Sequence, residues 1–140
     1  LLIGVNQLGF GAIVPVVALY ADGFGVGEAA IGMAIAVYGA ARFAANVPAG
    51  RFADRRGRKT LIAFGGAATL AGNLVCALAP NYPAFLLGRV ISGAGAAMVI
   101  TGAQTVVADV SDVANRGRLM AVYQGVFLFS VGIGPLPGGF

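Results

Sequence analysis

Six of the charged side chains fall in one ten-residue stretch, GRFADRRGRK, at residues 50–59. Arg51, Arg55, Arg56, Arg58 and Lys59 are donors that attract anions, and Asp54 is an acceptor set among them. Arg42 and Arg89 stand elsewhere, each in a long stretch without other charge, and Asn6 and Gln7 place two amides in another such stretch. Asp109 ends the run that contains Arg89. These residues suit recognition: guanidinium forks for carboxylates and carbonyls, amides for a polar ligand. Catalysis is not indicated. Histidine is absent, Cys76 is the one cysteine, and no carboxylate pair or nucleophile–base pair occurs at suggestive spacing. Disulfide frameworks, cysteine-rich metal sites and histidine chemistry are thereby excluded. Neither an enzyme nor a bound metal or cofactor is expected.

The elements that must position these groups are apolar. Of 140 residues, 59% are hydrophobic and 10% charged, with a mean hydropathy of +0.89. A soluble domain carries roughly a quarter of its residues charged. Five apolar runs can be read, over residues 1–21, 28–50, 59–79, 82–108 and 117–140, each about the 20 residues that cross a hydrocarbon core. Helices are the expected form, because unpaired backbone groups in lipid cost several kcal/mol. Barrel strands would be about half as long and would alternate in polarity. The expected fold class is therefore all-α integral membrane. The sequence opens on Leu1 inside an apolar run and stops at Phe140 inside another, so both ends read as cuts in a longer protein. No basic leader or cleavage site marks a signal peptide.

The loops DGFGVGE and PNYP hold no basic residue, whereas the second loop holds the Arg/Lys stretch and the fourth holds Arg116 and Arg118. Basic residues near span ends favour the cytoplasmic side. The reading is a multi-pass protein of the inner or plasma membrane with a cytoplasmic N-terminus. Spans on both sides of the basic stretch make anionic lipid, not nucleic acid, its phosphate partner.

The order of residues in that stretch is more specific than a patch of charge. Gly50, Asp54, Arg55, Gly57, Arg58 and Lys59 fit G-x-x-x-D-R-x-G-R-[KR], which resembles the loop signature between helices 2 and 3 of the major facilitator superfamily. RVISGAGAA, with Arg89, Gly93, Gly95 and Ala97, is similar to that family's fourth-helix motif. GPLPGG, residues 134–139, resembles the fifth-helix G-P-x-x-G-G motif found mainly in proton-driven exporters. The resemblance covers the whole chain and implies an incomplete N-terminal bundle, five helices of twelve, whose C-terminal half lies outside this sequence.

Gly50 is expected to end the second helix and admit close backbone approach. Asp54 suits the N–H groups of a helix N-terminus, which the resemblance places at the start of helix 11 in the C-terminal half. For Arg58 and Asp109 two readings stand: a charge relay that stabilises the outward-open state, as the resemblance implies, or solvated charges worth ~1 kcal/mol or less. Together with Arg55, Gly57 and Lys59 these residues are read as a breakable latch between rocking halves.

Arg89 lies about seven residues into its span, roughly 10 Å below the outer surface. Pro15, at similar depth, leaves the carbonyl of Gly11 without its helical donor. Arg89 either donates to carbonyls around Gly11 or is a packing arginine, and the resemblance associates it with proton coupling. Arg42, eight residues before Gly50 and so ~12 Å from the expected inner end, either snorkels toward the cytoplasm or serves a cavity. Asn6 and Gln7 either contact substrate in the central cavity that the family builds from helices 1, 4, 7 and 10, or bridge helices at ~0.6 kcal/mol. Tetracycline exporters often have a carboxylate where Asn6 stands, and no carboxylate lies deep in any span here. Gly134, Pro135, Gly138 and Gly139 make the fifth span bendable. Rows of small residues, Gly88–Ser92–Ala96 and Gly32–Ala36–Ala40, are expected packing faces.

The function expected from this resemblance is secondary active transport, proton-coupled export of small organic or drug-like compounds by alternating access. The proton gradient supplies the energy, and no cofactor is needed. An importer of sugars, organic acids or aromatic nutrients is the alternative within the family. A truncated membrane fragment without activity is the alternative outside it.

Overall fold

The computed structural model describes residues 27–133, together with Leu19, Asp22, Gly23, Gly25 and Leu136. Four helices make up the described chain: α1 Glu28–Arg56, α2 Arg58–Ala77, α3 Tyr82–Val110 and α4 Arg116–Ile133. The first three are long and apolar enough to cross a membrane. They are the second to fourth apolar runs of the sequence. Asn6, Gln7, Pro15 and the bending motif Gly134, Pro135, Gly138 and Gly139 lie outside the described residues.

α1 corrects one expectation. Gly50 does not end a helix; it sits inside α1, which continues to Arg56. The break falls at Gly57, whose φ of 89° and ψ of 155° belong to a region open essentially to glycine. Its N–H closes α1 on the carbonyl of Ala53 at 3.0 Å, and its carbonyl accepts from Leu61 N–H at 3.2 Å to start α2. One residue thus separates two helices, and the expected basic loop is instead the last turns of α1 and the first turn of α2. Alanine and arginine are strong helix formers, and Arg55 and Arg56 favour the negative end of the α1 dipole. Pro48, inside α1, removes one donor from the ladder without ending the helix. Gly57→Ala is therefore expected to cost ~1–3 kcal/mol, while Gly50→Ala, whose added Cβ meets nothing within 4 Å, leaves thermal unfolding in detergent unchanged.

The chain divides into two compact units, Ala21–Ala103 and a second formed by Leu1–Tyr20 with Gln104–Phe140. In the first unit α3 is the central element. Asn81 caps its start, its Oδ1 accepting from Ala84 N–H at 3.0 Å. On α2 the packed positions are Gly65 and Gly72, and on α3 they are Gly88, Ser92, Gly95 and Gly102. Against α1, Gly93 brings α3 onto the backbone of Tyr38. Ala49, Ala53 and Leu61 are fully or almost fully buried, with Phe52 and Met98 packed on them. The Tyr82 hydroxyl donates to the carbonyl of Ala30 and ties the first turns of α3 and α1.

The Gly88–Ser92–Ala96 row is buried as expected. The Gly32–Ala36–Ala40 row is exposed; the packed face of α1 is Ala34, Tyr38, Ala45, Ala49 and Ala53. In the second unit a five-residue corner joins the end of α3 to α4. Asp112 N–H donates to Asn115 Oδ1 at 2.8 Å, Ser111 Oγ donates to the carbonyl of Ala108 at 2.9 Å, and Arg116 reaches Ser111 Oγ at 3.4 Å.

Candidate functional site

Two constellations in the first unit gather the residues singled out above. The first lies between α1 and α3. Glycine at 93 lets α3 approach α1 so closely that a Cβ there would stand 2.6 Å from the Tyr38 carbonyl. One turn before Gly93 on α3 is Arg89, 2% exposed, with its guanidinium carbon 4.5 Å from the centre of the Tyr38 ring. A desolvated cation over an aromatic face gains about 2 kcal/mol, against the ~2.5–3.5 kcal/mol cost of an arginine in a spanning helix. Among the described residues, Arg89 Nε has no hydrogen-bond partner.

Tyr38, Arg42 and Asn46 follow one another at four-residue intervals and so share a face of α1. Arg42 is half-buried and Asn46 exposed. Asn46 Oδ1 accepts from Thr101 Oγ1 on α3 at 3.4 Å. Arg42 is fourteen residues, ~21 Å, from either end of the 29-residue α1. The last turns of α1 carry Arg51, Arg55 and Arg56, so the end of the helix is not the edge of the apolar layer, and both readings of Arg42 stay open.

The second constellation is the corner between α1 and α2. Ala53, Asp54, Gly57 and Arg58 line a recess of about 330 Å³. Asp54, Arg55, Gly57, Arg58 and Lys59 are exposed around it, and Gly50 is half-buried two turns back along α1. Asp109 is exposed at the end of α3 and belongs to the other unit. The partner expected for Arg89, the carbonyl of Gly11, lies outside the described residues; among those described, its neighbour is Tyr38. Sequence reasoning did not pair Tyr38 with Arg89. The four-residue spacing of Tyr38, Arg42 and Asn46 was the available signal.

Residues 1–140, the corner and the arginine on α3 among them, match the family described as Major Facilitator Superfamily. The chain belongs to the major facilitator superfamily. Among curated relatives, it is 34% identical over 117 residues to the inner membrane transport protein YajR of Escherichia coli K12, covering 83% of this chain and 25% of that protein. It is 31% identical over 138 residues to the uncharacterized MFS-type transporter MJ1560 of Methanocaldococcus jannaschii, covering 96% and 35%. It is 29% identical over 131 residues to the quinolone resistance protein NorA of Staphylococcus aureus MRSA252, covering 91% and 34%. The chain therefore spans a quarter to about a third of the length of these relatives. It is an all-α integral membrane protein, a partial bundle of the major facilitator fold, and its family is one of transporters.

Proposed function

We propose that this chain is the N-terminal part of a secondary active transporter that exports small organic compounds, coupled to the proton gradient, by alternating access. What carries the reading is the inner corner: Asp54 at the rim of a recess, held by a glycine-only turn between two spanning helices. Such a corner is rigid within its own half and offers a carboxylate to a partner element, as a breakable contact between rocking halves requires. The quinolone resistance protein among the relatives supports export, as does the G-P-x-x-G-G motif at residues 134–139. In this reading Arg89 and Arg42 face the transport path, and the corner with its five basic residues is cytoplasmic.

The test uses the longer gene product in proteoliposomes with an imposed pH gradient. Ethidium and a fluorescent quinolone are expected to move against their own gradients, and a protonophore is expected to stop both. Flux that is unaffected by the protonophore, or no flux of either compound, overturns the proposal. Orientation has its own check: a cysteine placed at Arg56 is expected to react with an impermeant thiol reagent only after the inner face of the membrane is opened.

A further inference from the structure

The corner between α1 and α2 holds five cations and one carboxylate, and the rest of the chain is balanced, so residues 50–59 alone carry the net charge of +4. The contact proposed for Asp54 accounts for the carboxylate. Two of the cations, Arg51 and Arg56, stand at positions that the signature G-x-x-x-D-R-x-G-R-[KR] leaves open. Arg51 belongs to a row. Phe43, Val47, Arg51 and Arg55 follow one another at four-residue intervals on α1 and so share a face. Phe43 is 81% exposed and Val47 64%, and Arg51 and Arg55 are exposed too. The packed row of the same helix is Ala45, Ala49 and Ala53. It is offset from the exposed row by two residues, about 200° around the axis. The two rows therefore run along opposite sides of α1. Ala49 and Ala53 pack with Leu61 of α2 and Met98 of α3, and the exposed row faces away from both.

The exposed row changes chemistry once along its length. Phe43 and Val47 suit hydrocarbon. One turn later Arg51 and Arg55 present guanidinium forks, which match phosphate oxygens in pairs. An apolar segment that gives way to two forked cations is complementary to a phospholipid of net negative charge. A zwitterionic headgroup would bring its own ammonium among five cations, so the anionic lipid is favoured. A second copy of the chain would set the same cationic row against itself, which like-charge repulsion opposes.

We propose that the face of α1 formed by Phe43, Val47, Arg51 and Arg55 binds an anionic phospholipid. Arg51 and Arg55 hold its phosphate, and Val47 and Phe43 hold an acyl chain. The site requires only that α1 crosses a bilayer. It rests neither on the export reading nor on which side of the membrane the corner faces.

The chain has no tryptophan, so Val47→Trp places a reporter on the row. The longer gene product, with any tryptophan outside this chain replaced by phenylalanine, is reconstituted in vesicles of phosphatidylcholine and phosphatidylglycerol. Bromine, which quenches tryptophan on contact, is carried on the acyl chains of one lipid or the other. Brominated phosphatidylglycerol is expected to quench Val47→Trp as though enriched about ten-fold over its bulk fraction. Leu74→Trp, with its reporter at a 53% exposed position at the far end of α2, is expected to sense each lipid at its bulk fraction. Arg51→Gln, added to Val47→Trp, is expected to lower the enrichment about five-fold, the share of one surface cation. Arg51 is exposed and four cations remain at the corner, so this variant is expected to fold and insert normally. Arg56→Gln removes the same charge away from the row and is expected to change the enrichment by less than about two-fold. Equal enrichment of the two lipids at Val47→Trp overturns the site, as does a preference indifferent to Arg51→Gln. A loss with Arg56→Gln as large as with Arg51→Gln also overturns it, because the attraction would then belong to diffuse charge. Absence of quenching by either lipid overturns it and assigns the row to a protein neighbour, a second copy or another helix of the longer chain. None of these results depends on flux, so the lipid site and the export reading stand or fall separately.

Discussion

Gly95→Leu is expected to leave no folded protein in detergent, while Gly66→Leu, on the same helix pair, leaves the yield unchanged. A Cβ at Gly95 would stand 2.5 Å from Thr69 N, 2.6 Å from the Gly65 carbonyl oxygen and 2.6 Å from Thr69 Oγ1. Two of these atoms are backbone of the neighbouring helix and cannot step aside. The third is engaged, since Thr69 Oγ1 donates to the Gly65 carbonyl at 2.8 Å. The contact is mutual, because a Cβ at Gly65 would stand 2.8 Å from the Gly95 carbonyl oxygen. It repeats two turns away, where a Cβ on Gly72 would meet the Gly88 carbonyl at 2.7 Å and one on Gly88 would meet the Gly72 carbonyl at the same distance. At Gly66 an added Cβ meets nothing within 4 Å.

Between helices in lipid there is no hydrophobic force to make up for lost contact; association depends on close packing. Inserting bulk where side chains can adjust costs ~1–3 kcal/mol. Where backbone faces backbone, α2 and α3 must separate along the whole seam, and a native stability of about 5–15 kcal/mol does not survive that. Gly95→Ala is expected to fall between the two leucine variants. Monodispersity and thermal unfolding in detergent measure all three. A Gly95→Leu protein that behaves like Gly66→Leu would mean that the helices do not meet at the glycines.

The helical spans were legible because an apolar run of that length leaves the backbone only one way to satisfy itself in lipid. Their ends at the basic corner were not. Residues 51–56 are polar and look like a loop, yet alanine and arginine favour helix, and outside the hydrocarbon layer nothing forbids charge on a helix. Two glycines, 50 and 57, could each have ended α1. Which one does so depends on which adopts positive φ, and composition carries no trace of that. The six-residue displacement puts Arg42 at the middle of its helix.

Arg89 stood out in the sequence as a charge in an apolar run. Its neighbour Tyr38 did not, because the pairing links residues 51 positions apart and is made by the approach of backbone at Gly93. The glycines of α3 were visible as a motif. Their counterparts Gly65 and Gly72 were not, since in a chain with 23 glycines only the meeting of two helices picks out the four that touch.

Asp54→Asn is expected to lower the initial rate of gradient-driven export by the longer protein about five-fold or more. Asparagine keeps the size of the side chain and one acceptor oxygen and removes the charge. If the carboxylate bonds the N-terminus of a helix in the other half, as proposed, the charge contributes ~0.3–1 kcal/mol when exposed and up to ~2 kcal/mol when partly buried. At about 1 kcal/mol that is a five-fold shift in the equilibrium between the two orientations, and at 2 kcal/mol it approaches thirty-fold. Asp112→Asn removes a charge of the same sign from the exposed corner before α4 and is expected to leave the rate unchanged, so a general response to surface charge is distinguishable from a local one. Asp54→Glu, longer by one methylene, keeps the charge but displaces it, and is expected to fall between wild type and Asp54→Asn. Export by Asp54→Asn at the wild-type rate would leave the basic corner outside the breakable contact between halves, which would have to be made elsewhere.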